Sequence, residues 1–434
     1  MGPAVIGDDR TLARAAAGRS GGGRQTEAPE ERMRMWANKR MDMPLSIWIR
    51  ALVSCSQPSS NGGAAALERA WEPDGSGVAG LSVRSLFDLW LHAQGWKAGD
   101  RIVFSAFTVA DMPLIARAHG LCVVALDIDP VTCEPDPGDL ASLLDERTRA
   151  VVYTHLFGAV GRTEELRRLA HDAGALFVED CAEAYHGPHW RGHPDSDLAL
   201  FSFGPIKTAT ALGGGLARVP DARVRADMRA RAATFPHQKR LDHVWRLVKF
   251  GALNTLASPV VFHLVVGLLD SFGPGYDTVF QRLTKSFPGS ELLDRIRRQP
   301  SAPLVRTMRL RLAEGDAPIH RRTAPGRRLL DQLGAGVPAA GASSHAYWLV
   351  PVLAPDPQSM IDRLVAEGFH ATRGRSFAVV EHDEPTDAPP PIGARRLLEQ
   401  AVFLPFDPEM PTHALDRLGD IVTAELERQS QPTS

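Results

Sequence analysis

The sequence predicts an α/β protein with a mainly parallel sheet. Short runs of strand character, such as Arg101–Phe104, Val123–Leu126 and Ala150–His155, are bounded by turn residues. Segments of helical spacing separate these runs, as over Leu114–His119 and Leu140–Leu144. A short apolar run between turn residues is typical of a buried strand. Because strands and helices alternate, we expect the strands to be parallel and joined by right-handed crossovers.

The composition is that of an ordinary globular protein. Of the 434 residues, 44% are hydrophobic and 23% are charged, which allows a large core. The net charge of −2 provides no global field that would recruit nucleic acid. The four cysteines are scattered without a C-x-x-C pair and no metal-ligand spacing is found, so we predict a reduced, cytoplasmic protein without a metal site. Residues 1–43 carry charges of both signs and no apolar core, which argues against a signal peptide.

Two helices are expected before the first sheet run. Ala64–Trp71 has helical spacing, with Leu67 and Trp71 four residues apart. A glycine-rich turn follows, and a second helical pattern begins at Ser82, where Ser82 or Ser85 is the expected N-cap. The N-terminus of a helix presents free N–H groups and a positive dipole end, which suit a phosphate group.

The chain is organised around residues 176–219. An apolar run, Ala175–Val178, ends in an acidic pair whose second member is Asp180. A second run, Leu198–Phe203, ends in a Gly-Pro turn that Lys207 follows at once. A glycine triplet then leads into a third run, Leu216–Val219. Asp180 and Lys207 therefore both lie just beyond strand ends, where α/β sheets place their binding sites.

An acid and an amine brought to one crevice suit pyridoxal phosphate. Lys207 would form the Schiff base, and Asp180 would keep the pyridine nitrogen protonated so that the ring takes up electrons. On spacing alone, the alternative is a helix-capping Asp180 and a surface Lys207, and both readings stay open.

The same stretch resembles the core of the DegT/DnrJ/StrS family of pyridoxal-phosphate-dependent sugar aminotransferases. That family reads approximately E-D-A-A-Q-A, then G-D, then S-F-x-x-x-K, then G-E-G-G. The counterparts here are Glu179–Ala184, Ser196-Asp197, Ser202–Lys207 and Leu212–Gly215. The resemblance implies a fold type I transferase, similar to aspartate aminotransferase, with a large mainly parallel domain and a smaller C-terminal α+β domain.

The resemblance also suggests a division of the chain. Residues 1–60 would be a flexible N-terminal tail and the segment leading into the fold, and 61–235 the large cofactor-binding domain. Residues 236–330 would be an atypical apolar and basic helical insertion. Residues 331–434 would be the small domain, because the run Ser344–Val352 and the late Leu-Pro turn have counterparts in the family's C-terminal domain.

Several residues take cofactor-binding roles by resemblance. Lys207 would be the catalytic Schiff-base lysine and the proton carrier, with Asp180 on the pyridine nitrogen and Ser202 near the phosphate. Ser82-Val83-Arg84 stands where the family has a serine-glycine-threonine run that holds the phosphate. The alternative for these three residues is an N-cap serine and a solvated arginine.

Three further positions complete the implied site. Phe107 would stack on the pyridine ring, although direct alignment places Val109 there, and the alternative is a core phenylalanine. His155 would line the cofactor pocket, and the alternative is a core histidine. Glu183 stands where the family has a glutamine, which puts a negative charge near the cofactor's phenolic oxygen.

The resemblance implies an aminotransferase that converts a nucleotide-linked keto sugar to an amino sugar. Glutamate or glutamine would be the amino donor, and a homodimer would hold the active site at its interface. The family's G-x-N-Y-R element, which the partner subunit contributes to the phosphate site, is not recognisable after Phe235. One alternative is a sugar dehydratase, but that branch of the family replaces the Schiff-base lysine, so the presence of Lys207 argues against it. Another alternative is a membrane-apposed scaffold or sensor without turnover.

Phe250–Leu269 contains 20 residues without a charged side chain, and basic residues precede it. The length just reaches a bilayer span, but Pro259 divides the run into two short halves. We predict an apolar hairpin at a subunit interface, with a peripheral membrane contact as the alternative. Pro300–Arg328 carries seven arginines, for which we predict a solvated helix face, or alternatively contacts to a sugar-nucleotide diphosphate.

Overall fold

The computed structural model describes residues 36–37, 41–58, 63–256, 258, 291–374, 376–385 and 389–431. The α-helices in chain order are α1 Leu45–Ser56, α2 Gly63–Trp71, α3 Val83–Gln94, α4 Asp111–Ala118, α5 Pro137–Leu143, α6 Glu164–Asp172, α7 Ala222–Ala233, α8 Arg240–Leu256, α9 Leu292–Ile296, α10 Ala302–Leu312, α11 Ala317–Leu333, α12 Pro357–Ala366, α13 Ile392–Gln400 and α14 Thr412–Ser430.

The strands are β1 Gly77–Gly80, β2 Arg101–Ser105, β3 Phe107–Val109, β4 Cys122–Leu126, β5 Thr148–Thr154, β6 Ala159–Val160, β7 Leu176–Asp180, β8 Leu198–Ser202, β9 Gly215–Arg218, β10 Ser344–His345, β11 Pro351–Leu353, β12 Phe377–Val379 and β13 Ala401–Phe403. In the described part of the chain, seven of them form one sheet in the order β1-β9-β8-β7-β5-β2-β4. The pairs from β8 to β4 are parallel, whereas β9 pairs antiparallel with both β8 and β1. The predicted α/β class with a mainly parallel sheet is confirmed.

The sheet is covered on both faces. Along β2, Ile102 and Phe104 belong to one apolar cluster with α3, while Val103 packs into another cluster with α5 and α6. Successive side chains of a strand point to opposite faces, so a strand between two helix layers is apolar at every position. Burial of each such side chain stabilises the fold by about 1.5–3 kcal/mol. This packing explains why the sequence shows continuous apolar runs here.

The outermost strand of the parallel part, β4, has its free edge covered by side chains from the C-terminal region. The N–H of Val123 donates to Asp383 Oδ2 at 2.8 Å, and the N–H of Ala125 donates to His382 Nδ1 at 3.3 Å. These bonds satisfy backbone groups that an edge strand would otherwise expose.

The C-terminal region combines short strands with α12, α13 and α14. Its apolar cluster gathers side chains from β11, β13, α11, α12 and α14. It joins the larger sheet region through β12, which pairs antiparallel with β3, and through β10, which pairs with β6. The four-part division of the chain stays a prediction.

Two regions differ in detail from the sequence interpretation. A helix, α1, lies within residues 1–60, where no helix was expected. Apolar side chains occupy both its buried and part of its exposed side and leave only a narrow polar stripe with Ser46 and Arg50, which weakens the usual periodicity. The arginine-rich segment was expected to be a solvated face, but Arg311 and Arg322 are buried. The guanidinium group of each donates hydrogen bonds to backbone carbonyl oxygens, and these bonds offset the cost of burying its charge.

The apolar run Phe250–Leu269 is described only in part. Its first residues form the end of α8, and most of the remainder lies outside the described residues. The predicted hairpin and the predicted membrane contact therefore stay predictions. Among the described helices, none combines the length and the apolar character that a bilayer span requires.

Candidate active site

Asp180 and Lys207 come from neighbouring strands at one edge of the sheet. Asp180 is the last residue of β7, which pairs in parallel with β8 through Leu200. Ser202 ends β8, and Lys207 lies in the turn that follows. Because both strands end at the same edge, the fold brings the carboxylate and the amine together, as the sequence spacing indicated.

The Lys207 side chain is 15% exposed, and its amine lies between a carboxylate and an aromatic ring. Its Nζ lies 3.7 Å from Glu183 Oε1 and 3.8 Å from the centroid of the Trp348 ring. Burial lowers the pKa of Lys207, while the charges of Glu183 and Asp180 act in the opposite direction. A lysine with a lowered pKa is more readily unprotonated, as a nucleophile or a base must be.

Asp180 is buried near the lysine. The N–H of Ala182 donates to its Oδ1 at 3.0 Å. Burial raises the pKa of Asp180, against the lowering effects of this hydrogen bond and of the Lys207 charge. The two pKa shifts share one cause, which is exclusion of water from the amine and the carboxyl group.

Glu183 connects the lysine to the loop after β5. Its Oε2 accepts the N–H of Phe157 at 3.1 Å, and its Oε1 faces Lys207. The Glu183 side chain is 4% exposed, so water screens its attraction to Lys207 less than it would screen a pair on the surface. A glutamine at this position would keep the hydrogen bond from Phe157 but would carry no charge.

Trp348 is the site residue that sequence reasoning missed. Its Nε1 donates to the carbonyl of Ile206 at 2.6 Å, which holds the ring beside Lys207. Behind it, Arg322 donates from Nε to the Tyr347 carbonyl at 3.0 Å and from Nη2 to the Trp348 carbonyl at 3.2 Å. The tryptophan lies more than a hundred positions from the lysine along the chain, so spacing gives no signal for the contact.

The backbone around Trp348 has an unusual conformation. Tyr347 has φ of 49°, a value that non-glycine residues rarely adopt. The opposing residue Gly158 has φ of +101°, and a Cβ there would lie 2.6 Å from the backbone nitrogen of Trp348. Glycine at 158 therefore permits the close approach that places Trp348 over Lys207.

A second buried arginine supports the segment that carries the lysine. Arg311 donates from Nη2 to the carbonyl of Thr208 at 3.4 Å and to the carbonyl of Asp42 at 2.7 Å. It also pairs with Glu314. Arg311 and Arg322 thus hold the two backbone segments that meet at the Lys207 amine.

Ser82, Val83 and Arg84 form the start of α3. Ser82 Oγ accepts the N–H of Ser85 at 3.2 Å, and Ser85 Oγ accepts the N–H of Ser82 at 2.8 Å, which is a capping box. Arg84 pairs with Asp111, and its positive charge contributes to the lowered pKa of Lys207. The N-cap interpretation describes the observed bonds, and the phosphate-binding role of these residues stays a prediction.

The glycine triplet lies against the start of α3. A Cβ on Gly215 would be 2.8 Å from the backbone of Ser82 and Val83. The N–H of Gly214 donates to the Leu81 carbonyl at 2.9 Å. The triplet therefore fixes the helix N-terminus beside the strand that follows Lys207.

Ser202 lies at the end of β8, where its Oγ accepts the N–H of Gly204 at 3.3 Å. Its role near the cofactor phosphate stays a prediction.

The structure places Phe107 in an aromatic cluster. Its ring stacks on Phe377 with centroids 4.8 Å apart, and it meets Phe157 edge to face. Val109 is less buried than Phe107. This environment corresponds to the core-phenylalanine alternative, and stacking on a cofactor stays a prediction.

His155 also has the contacts of a core residue. The N–H of Gly161 donates to its Nδ1 at 3.2 Å, so Nε2 carries the proton and donates to Glu179 Oε1 at 3.1 Å. Burial favours a higher pKa for Glu179, but the hydrogen bond from His155 holds that pKa below its usual range. The donor atoms of His155, Glu179 and Cys181 lie within 4.8 Å of one another, but both histidine nitrogens are already bonded.

The residues at this sheet edge fit pyridoxal phosphate. Lys207 offers an amine for the aldehyde, and the buried Asp180 offers a carboxylate for the pyridine nitrogen. The hydroxyl of Thr208, next to the lysine, is buried without a hydrogen-bond partner among the described residues. Buried polar atoms are rarely left unpaired, so this orphan hydroxyl is consistent with a bound polar group.

Comparison with known proteins finds similarity to aminotransferases over part of the chain. Residues 80–251 match the model of the DegT/DnrJ/EryC1/StrS aminotransferase family. The pleiotropic regulatory protein of Geobacillus stearothermophilus is 36% identical over 129 residues, which are 29% of this chain and 34% of the relative. The L-glutamine:2-deoxy-scyllo-inosose aminotransferase of Streptomyces fradiae is 36% identical over 160 residues, 35% of this chain and 34% of the relative. The chain thus spans about a third of the length of these curated relatives.

Structural similarity extends further than sequence similarity. The aminotransferase TlmJ from Streptoalloteichus hindustanus superposes with a TM-score of 0.65 at 18% identity, over 91% of this chain and 99% of that one. At this identity the comparison concerns the fold alone. It confirms the predicted aminotransferase-like fold.

Proposed function

Because residues 80–251 of this chain match the model of the DegT/DnrJ/EryC1/StrS aminotransferase family, we propose that the protein is a pyridoxal-phosphate-dependent aminotransferase. The observation that carries the proposal is the position of the Lys207 amine, 3.7 Å from the buried Glu183 carboxylate and near the buried Asp180, at the edge where two parallel strands end. Buried titratable groups with specific partners at a strand-end crevice are typical of catalytic sites.

Each group has a part in holding the cofactor. Lys207 would bind it covalently through Nζ, and Asp180 would contact the pyridine nitrogen. The start of α3, with Ser82 and Arg84, and the hydroxyl of Ser202 would hold the phosphate. When bound, pyridoxal phosphate supplies an electron sink for bonds at the amino carbon.

The side chains around the cofactor would transfer protons and shield the reacting amine from water. The Lys207 Nζ would take a proton from the α-carbon of the amino donor and return it to the C4′ position within the same half-reaction, and it would carry a proton in the opposite direction, to the acceptor carbon, in the second half. Trp348 covers one side of this amine, and its hydrogen bond to Ile206 keeps the ring in place. Glu183 would stabilise the protonated amine between the two transfers because its carboxylate lies opposite Nζ.

We propose a keto sugar or keto cyclitol as the amino acceptor, with a nucleotide-linked keto sugar as the specific candidate. Glutamine or glutamate is the proposed donor. A relative named L-glutamine:2-deoxy-scyllo-inosose aminotransferase supports a cyclic polyhydroxy ketone and glutamine. We also propose a homodimer with the active site near its interface, which sedimentation velocity would test through the mass of the purified protein.

The decisive experiment is chemical trapping. Purified protein is incubated with pyridoxal phosphate, reduced with borohydride and mapped by mass spectrometry. We expect a phosphopyridoxyl group on Lys207, no such group in Lys207→Arg, and bleaching of the unreduced protein by glutamine or glutamate. A protein that carries no modification on Lys207, or whose absorption no amino donor changes, would not be an aminotransferase of this kind.

A further inference from the structure

Asp42 lies in a short segment that is fixed on both sides just before α1. The N–H of Met41 donates to Asn254 Oδ1 at 2.9 Å, and the side chain of Met43 is buried in an apolar cluster with residues of α1 and α8. Between these two anchors, the Asp42 side chain is only 9% exposed. A carboxylate with so little access to water needs cationic partners, because burying its charge alone is costly.

Three arginines of α10 and α11 contact Asp42. Its Oδ1 accepts a hydrogen bond from Arg321 Nη2 at 2.8 Å, and its Oδ2 lies 3.6 Å from Arg322 Nη1. The backbone carbonyl of Asp42 accepts a hydrogen bond from Arg311 Nη2 at 2.7 Å. Burial lowers the pKa of Arg322, and the charge of Asp42 is the strongest influence in the opposite direction. Asp42 therefore compensates a buried charge on α11.

Arg322 connects Asp42 to the ring that covers the Lys207 amine. Its Nε donates to the Tyr347 carbonyl and its Nη2 to the Trp348 carbonyl, which leaves Nη1 facing Asp42. The guanidinium group is planar and rigid, so a change at Nη1 also moves the two atoms that hold the carbonyls. The ring of Trp348 lies 3.8 Å from Lys207 Nζ. A chain of direct contacts thus joins the carboxylate to the amine.

Arg311 makes a second connection that depends less on the Asp42 side chain. Its Nη2 donates to the carbonyl of Thr208, the residue after Lys207, as well as to the backbone carbonyl of Asp42. Its own charge is paired with Glu314. Replacing the side chain of Asp42 would leave both of these partners in place. We therefore expect a substitution of Asp42 to act mainly on the side of the amine that faces the tryptophan.

We propose that Asp42 is a positioning residue for the Lys207 amine and acts through Arg322 and the indole ring of Trp348. The carboxylate holds the guanidinium in the orientation that bonds both carbonyls, and these bonds keep the ring beside Nζ. Tyr347 has φ of 49°, a conformation that persists only where neighbouring bonds hold it. Without Asp42 the charge of Arg322 would turn toward water, and the ring would lose its support. The inference rests on the proposed function, which assigns the cofactor to this lysine.

Acylation of Lys207 in the cofactor-free, full-length protein tests the proposal, because this readout does not require cofactor binding. Mass spectrometry follows the labelling rate over a pH series, with the exposed Lys97 as the internal reference. Asp42→Ala should raise the rate at high pH, where the amine is unprotonated, by about threefold or more, because the ring no longer shields Nζ.

The same pH series reports the pKa of the amine. Burial is the largest influence on the pKa of Lys207 and lowers it, so entry of water in Asp42→Ala should move the labelling midpoint to higher pH. The charged groups that face the amine remain unchanged in this variant, and they are Glu183, Asp180 and Arg84. A variant that only loses stability would keep the wild-type profile.

A double variant tests the route of the effect. Trp348→Ala alone should raise the labelling rate of Lys207 at high pH, because the covering ring is removed. Adding Asp42→Ala should then change the rate little further, since the ring through which Asp42 acts is already absent. Independent effects of the two substitutions, in which the rate increases multiply, would overturn the proposal.

Glu425→Ala is the matched control for loss of a buried carboxylate. The Glu425 side chain is 6% exposed and bonds Arg428 and Ser359 in the C-terminal region. Urea denaturation compares the stability of this variant with that of Asp42→Ala. Glu425→Ala should leave the labelling of Lys207 unchanged, whatever stability it loses.

Asp42→Asn keeps the shape of the side chain and removes its charge, so it serves if the alanine variant does not fold. It should raise the labelling rate of Lys207 in the same direction. The proposal is overturned if the folded Asp42 variants label like the wild-type protein, or if Glu425→Ala raises the rate equally. Absence of a phosphopyridoxyl group on Lys207 would refute the proposed function instead, and it would leave this comparison unaffected.

Discussion

At the scale of single residues, the candidate site depends on how Lys207 is surrounded. Its amine has a carboxylate on one side and an indole ring on another, and burial and charge act on its pKa in opposite directions. The family that this chain resembles has a glutamine in place of Glu183, so the negative charge beside the amine is a particular feature of this chain. Removing one partner at a time separates their effects.

Glu183→Gln should lower the pKa of Lys207. The carboxylate stabilises the protonated amine, and the glutamine retains a carbonyl that can accept the Phe157 N–H without a charge. The amine should therefore become reactive at lower pH than in the wild-type protein. Acylation of Lys207 in the cofactor-free protein, followed by mass spectrometry over a pH series, measures this midpoint. The exposed Glu165→Gln serves as the control, and an unchanged or upward-shifted midpoint in Glu183→Gln would contradict the argument.

Arg322→Met should destabilise the protein by about 3 kcal/mol, because two buried carbonyls would lose their donor. Urea denaturation gives the free energy of unfolding. Arg327→Met, on the exposed side of the same helix, should change stability by less than about 0.5 kcal/mol. Equal stability of the two variants would show that the buried hydrogen bonds of Arg322 contribute little.

At the scale of secondary-structure elements, the position of α3 depends on the glycine triplet. The helix N-terminus touches Gly215 so closely that no side chain fits between them. The capping box fixes where the helix begins, and the glycine fixes how near it lies to β9. This contact therefore determines whether the start of α3 can take part in the site.

Gly215→Ala should push α3 away from β9 at a cost of about 1–3 kcal/mol, the usual range for overpacking. Cofactor affinity, followed by absorbance, should fall in the same variant if the start of α3 holds the phosphate. Gly341→Ala is the matched substitution, because a Cβ there meets nothing within 4 Å. A stable Gly215→Ala protein with normal cofactor affinity would refute both parts.

At the scale of the whole molecule, the C-terminal region is attached to the sheet through backbone donors. The Asp127 carboxylate accepts the N–H of Gly393 at 2.8 Å and of Ala394 at 2.9 Å, at the start of α13. A residue far away in the sequence thus caps this helix.

Asp127→Ala should cost about 1 kcal/mol and raise hydrogen exchange in residues 392–400. Asp136→Ala removes the local cap of α5 and should cost a similar amount, but it should leave exchange in 392–400 unchanged. Equal exchange in both variants would mean that the bond to Asp127 does not hold α13.

Sequence reasoning succeeded where local pattern determines structure. The apolar runs of the buried strands predicted the sheet, and the end of β7 and the turn after β8 located Asp180 and Lys207. It failed for Trp348, Arg311 and Arg322, because their contacts join positions far apart in the chain and a charged residue in a basic run reads as solvated. It missed α1 because a helix that is apolar on two sides has no clear periodicity.

The protected rim of β4 has a consequence for handling the protein. Its amides are occupied by Asp383 and His382 instead of remaining available to a foreign backbone. A neighbouring molecule in a concentrated sample therefore finds no ready template for adding a strand on that side. Without these two side chains, the backbone N–H groups of Val123 and Ala125 would be open to a strand from another molecule. We expect such a variant to associate through this edge under conditions where it is still folded.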